Sequence, residues 1–179
     1  MMKLLKLRKK SGFTLVELVV YVALVSIFLV SLISFSMNVI TTGEEAEINQ
    51  TVMRDAQFAM SKMVEQIREA SDVDVGNSIF GAHPGVLTLT TINSPANDPT
   101  VFDLAGVILQ IKQGGGAAMP LLDSSLEVTN LVFTDLSRTN YTKNIKIDLT
   151  VRHKNFGQSS IANAEVVLSG SATVRVQSD

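Results

Sequence analysis

Between Phe13 and Gly43 the chain runs for 31 residues with a single charged side chain, Glu17. From Leu18 to Met37 there are 20 residues without any charge, interrupted in polarity only by Ser26, Ser31, Ser34 and Ser36. At about 1.5 Å of rise per residue, a helix of that length spans about 30 Å, enough to cross a hydrocarbon core. A helix is the only open-chain form that satisfies every backbone group in such a setting. Isolated serines do not spoil it, because a hydroxyl can bond back to the preceding turn. The anomaly is Glu17. A carboxylate inside a membrane span costs about 2.5–3.5 kcal/mol on insertion scales, which points to a function and to a partner of opposite charge.

Charge is distributed unevenly on the two sides of this start. Residues 1–12 carry Lys3, Lys6, Arg8, Lys9 and Lys10 and no acid, a net +5, whereas the remainder has 10 basic and 17 acidic residues. A basic tip ahead of an apolar run holds the N-terminus in the cytoplasm and sends the rest across the membrane. The acidic body lacks the basic stripe of a nucleic-acid surface, so no nucleic-acid partner is expected. With no cysteine, the chain has neither a disulfide framework nor a thiolate metal site.

The helical pattern continues past the apolar run. Ile48, Val52, Ala56, Ala59, Met63, Ile67 and Ala70 recur at three- and four-residue steps and form one apolar stripe. Glu44, Glu45, Glu47, Arg54, Asp55, Lys62, Glu65, Arg68 and Glu69 fill the other faces. Only Gly43 weakens a helix running from about Phe13 to Ala70, and the turn formers from Ser71 to Asn77 end it. The stripe is narrow and short of four heptads, which favours packing on its own domain over a coiled coil.

Beyond Gly76 the chemistry changes to β-branched residues and turn signals. Strands are expected over 86–92, 107–112, 126–136, 145–152, 164–168 and 172–176, with a loop over 93–99. On the third of these, Leu126, Val128, Leu131 and Phe133 are the expected buried residues. A helix followed by a run of strands implies an α+β fold, in which the long N-terminal helix packs its outer half on a C-terminal antiparallel β-sheet. The division expected is a leader over 1–12, a membrane-spanning helix over 13–43, an amphipathic half of the same helix over 44–75, and a sheet domain over 76–179.

Candidate chemistry in the sheet domain is sparse. Gly114, Gly115 and Gly116 are not followed by the GK[ST] of a phosphate loop and read as a hairpin or connection. His83, before Pro84 and Gly85, reads as a turn residue, and His153 as a solvent-facing strand end; neither has metal-ligand spacing. Asp72 with Asp74, or Asp98 with Asp103, could contribute to a calcium site, but without the glycine-spaced loop that would specify one. There is no Gly-x-Ser-x-Gly elbow and no assignable base. Neither an enzymatic activity nor a cofactor is expected.

The segment from Gly12 to Leu18, GFTLVEL, together with its basic leader, resembles the class III prepilin signal of type IV pilins and of type II secretion pseudopilins. Glycine, phenylalanine, the carboxylate five residues past the cut and the apolar helix all coincide, and the helix-then-sheet order is similar to the pilin arrangement. The resemblance implies cleavage after Gly12 by a prepilin peptidase on the cytoplasmic face, with Arg8, Lys9 and Lys10 in the leader, and N-methylation of the new terminal residue, Phe13. It implies a subunit held in membrane lipid before assembly, then packed by its helix against other pilins or pseudopilins on an inner-membrane assembly platform. It further implies that Glu17 registers each subunit against the Phe13 ammonium of a neighbour, a cation that also compensates a carboxylate buried among apolar helices. The chain departs from major type IVa pilins in having no proline near Ser34 and no C-terminal cysteine pair. It departs from major pseudopilins in lacking a recognisable calcium loop, so a minor subunit is the expectation.

Two other readings use the same residues. One is a single-pass anchored, exported protein whose β-domain is a binding module, which leaves Glu17 without a role. The other is a cleaved secretory signal, which the length of the apolar run and the lack of an Ala-x-Ala site disfavour.

Overall fold

The computed structural model describes residues 12–92, 94–138, 143–158 and 161–174. One α-helix, α1 (Leu15–Glu69), is followed by eight strands among the described residues: β1 (Asp72–Val73), β2 (Leu87–Thr90), β3 (Thr100–Ala105), β4 (Ile108–Gln113), β5 (Met119–Pro120), β6 (Leu126–Asp135), β7 (Asn144–His153) and β8 (Glu165–Thr173). The described residues form two compact units, one ending at Thr42 and the other beginning at Gly43.

In the first unit the large apolar side chains of α1 are exposed, from Leu15 at 79 % to Ile40 at 57 %. The hydroxyls of Ser26 and Ser31 donate to the carbonyls of Val22 and Ile27 at 2.7 and 3.0 Å, so these polar groups are satisfied within the helix. The helix also runs unbroken through Gly43.

In the second unit the apolar stripe behaves as its spacing predicts. Val52, Ala56, Ala59, Met63, Ile67 and Ala70 are buried, and Ile48 is half-buried against them. Alanines at positions 56 and 59 keep the helix surface shallow, which lets the sheets approach closely. Gln66 is the polar exception on this face. It is buried, accepts from Gln113 Nε2 at 3.0 Å and donates to Glu69 at 3.0 Å, so its burial is compensated.

The layout is the expected α+β one, but its strands divide into two antiparallel sheets rather than one. Strands β1 to β5 form a meander in chain order, and β6, β7 and β8 form a second. The sheets meet at β6. Its Val128 N–H donates to the Val107 carbonyl at 2.9 Å, and its Phe133 carbonyl accepts from Gly81 N–H at 2.8 Å. One apolar core, including Phe102, Leu109, Leu131, Phe133, Ile147 and Leu149, joins both sheets to the helix.

Several local expectations are corrected. β3 is a strand that the sequence reading leaves unassigned, although its Phe102 is fully buried. The segments 164–168 and 172–176 are not two strands. A single β8 stays paired with β7 through Ser169, Gly170 and Ser171, and Gly170 is the point where Met60 of α1 packs against the sheet. A Cβ there would lie 3.2 Å from the Met60 sulfur. Residues 175 and 176 lie outside the described residues. On β6 the buried set Leu126, Val128, Leu131 and Phe133 is as expected, and its break in alternation is explained by a register shift between Val128 and Asn130. Gly114 to Gly116 connect β4 to its partner β5, with Gly114 at φ +53° and packed so closely that a Cβ would meet the Ala96 carbonyl.

Candidate functional site

The residues singled out by the sequence converge on the start of α1. Gly12, Phe13 and Thr14 precede the helix and are exposed, Phe13 at 73 %. Thr14 begins the helix: its carbonyl accepts from Leu18 N–H at 3.2 Å and its hydroxyl from Glu17 N–H at 3.3 Å. This is an N-cap, and Glu17 occupies the third helical position. The pattern Thr14-x-x-Glu17 ahead of an apolar run is that of a capping box, so Thr14 is a residue that a reading based on charge misses. A carboxylate in the first turn also faces the positive end of the helix dipole. Among the described residues Glu17 makes no ion pair, so its charge has no partner within them.

Among the described residues nothing lies within 4 Å of where a Cβ on Gly12 would stand, so they give no steric reason for a glycine there. Phe13 folds forward along the helix, its ring centroid 6.1 Å from that of Tyr21 in an edge-to-face arrangement at 64°. Gly12, Phe13 and Glu17 are thus gathered within the first turn and its approach. Arg8, Lys9 and Lys10 lie outside the described residues.

This start matches a known family model over residues 7–33, described as a prokaryotic N-terminal methylation motif. The chain carries the class III prepilin signal. The methylation motif and the long apolar helix behind it are consistent with a type IV pilin-like or pseudopilin chain anchored in a membrane. The motif supports the chain's being a prepilin-type substrate. No curated protein and no solved structure matches the chain.

Away from the methylation motif, the polar side chains considered in the sheet domain have local duties. Asp74 caps the turn over Val75–Asn77 and takes the Asn77 side-chain N–H at 2.7 Å, a bond that lowers its pKa below the ordinary 3.8. Asp72 pairs with Lys143, and Asp98 accepts from Thr91 N–H at 2.9 Å. Asp103 stands on β3, with one carboxylate oxygen buried and unpaired. No group of three or more His, Asp or Glu side chains suited to a metal occurs among the described residues. His83 does more than turn the chain, since its Nδ1 accepts from Leu131 N–H on β6 at 3.0 Å. His153 is half-buried rather than solvent-facing, with Nδ1 accepting from Asn155 N–H at 3.2 Å. It lines a small cleft of about 150 Å³ with Glu47, Ile48, Thr51 and Ser125.

Proposed function

We propose that the chain is a non-enzymatic structural subunit, a minor pilin or pseudopilin, of a type IV pilus or a type II secretion pseudopilus. The observation that carries this is one carboxylate, Glu17, at the third position of α1, in a stretch that is otherwise uncharged as far as Gly43, and directly behind the Gly12–Phe13 step of the methylation motif. In this reading residues 1–12 are the leader, and prepilin peptidase removes them on the cytoplasmic face. Phe13 becomes the methylated N-terminus, and its ammonium compensates Glu17 of a neighbouring subunit. Residues 13–43 sit first in inner-membrane lipid, with the N-terminus cytoplasmic. They then join other pilins or pseudopilins through the assembly platform, while the sheet domain of residues 76–179, packed on the amphipathic part of α1 that ends at Glu69 rather than at the expected residue 75, is exported.

A carboxylate held among apolar helices is tolerated when a cation faces it, and this supplies a driving force for register. The test is mass spectrometry of the protein from cells with an active prepilin peptidase. The expected species begins at Phe13 with a methylated amine. An intact Met1 terminus in those cells would falsify the proposal.

A further inference from the structure

Phe13 and Tyr21 form the one ring–ring contact among the described residues. Eight residues of regular helix would separate them by about 12 Å of rise. They meet because Phe13 lies outside the helix and folds forward along it, while a helical side chain such as Tyr21 leans back toward the N-terminus. Tyr21 is one turn beyond Glu17, so the contact runs along the face that carries the carboxylate. The Gly12–Phe13 peptide bond is thereby attached to a ring whose position the helix defines. On Gly12 itself, no described residue lies within 4 Å of where a side chain would begin.

We propose that Tyr21 is a positioning residue for processing: its ring holds Phe13 and so presents the Gly12–Phe13 bond to the peptidase in one orientation relative to the helix start. The proposal rests on the reading of cleavage after Gly12. The step is an amide hydrolysis in which water adds across the Gly12–Phe13 bond, leaving a carboxylate on Gly12 and an amine on Phe13. The peptidase supplies the catalytic groups, and Tyr21 touches none of the reacting atoms. Edge-to-face pairs of this kind favour the closed arrangement by about two- to twelvefold, so losing the ring should slow cleavage by up to that factor.

The test follows conversion of the full-length precursor in membranes containing prepilin peptidase, read over time by mass spectrometry. Tyr21→Leu should convert about two- to twelvefold more slowly than the wild-type chain. Tyr21→Phe, which keeps the ring and loses the hydroxyl, should restore the wild-type rate. Phe13→Leu removes the other ring, and adding Tyr21→Leu to it should slow conversion no further, because the shared contact is already gone. A wild-type rate for Tyr21→Leu overturns the proposal, and so does an additive double variant. Tyr21→Phe as slow as Tyr21→Leu also overturns it and assigns the effect to a hydroxyl anchored at the membrane interface. Failure of the wild-type precursor to convert overturns the cleavage reading itself, which separates that outcome from the other three.

Discussion

Glu17 has two physical reasons to be where it is, and they are separable by substitution. As the third residue of α1 it suits the capping pattern with Thr14; as the lone charge between Phe13 and Gly43 it calls for a cation. Glu17→Gln keeps a side chain suited to the cap and discards the charge, whereas Glu17→Leu discards both. Both variants are expected to remain in the membrane and to be excluded from filaments, as measured by subunit content of sheared or purified filaments. Assembly of the glutamine variant at wild-type levels would assign Glu17 to the cap alone. Gly12→Val tests the neighbouring step. No described residue lies within 4 Å of a Cβ at Gly12, so unchanged circular dichroism with unprocessed precursor on a gel is the expected pair of results. Asp148, on β7, is held below the ordinary aspartate pKa of 3.8 by its bonds to Lys146 and Ser169. A carboxyl depressed in the folded state adds stability that is fully present above its unfolded value and is lost as pH falls through the folded one. The melting temperature of the sheet domain should therefore decline below about pH 4, and less steeply in Asp148→Asn.

At the level of elements, what could be read from the sequence depended on whether local pattern or tertiary contact decided the outcome. The stripe from Ile48 to Ala70 is legible because a 3.6-residue period belongs to the helix itself. β7 is legible because Ile145, Ile147, Leu149 and Val151 alternate with polar residues, and all four are buried. β3 is not, since a polar Thr100 on the buried face and apolar Val101 and Ala105 on the other blur its alternation, and its identity rests on pairing with β2 and β4. The division into two sheets is likewise a matter of partner choice that no single strand encodes. Gly170 misleads for a related reason: glycine there signals a turn locally, yet serves a close approach to Met60 from a distant helix. Gly170→Leu is accordingly expected to destabilise the sheet domain by about 1–3 kcal/mol through overpacking, measured by urea unfolding. Gly43→Ala has the opposite sign. Gly43 is helical with open space around it, and alanine should stabilise the helix by about 0.5–1 kcal/mol, visible as slower amide exchange near that residue.

For the molecule as a whole, the compactness of the unit beginning at Gly43 implies that it can fold without the apolar segment. A fragment of residues 43–179 should express as a soluble monomer with a cooperative thermal transition and mixed α and β circular dichroism; an aggregated or non-cooperative fragment would contradict this. The same unit also dictates a schedule. Met60 and its partner Gly170 are far apart in sequence, and the meanders form in chain order between them. If export runs from the N-terminal end, the apolar face of the helix leaves the membrane first and stays partly uncovered until the final strand arrives. During that interval the chain is a half-closed book, open to proteases and to wrong neighbours. The quality of folding outside the membrane is then governed less by final stability than by how soon β8 follows.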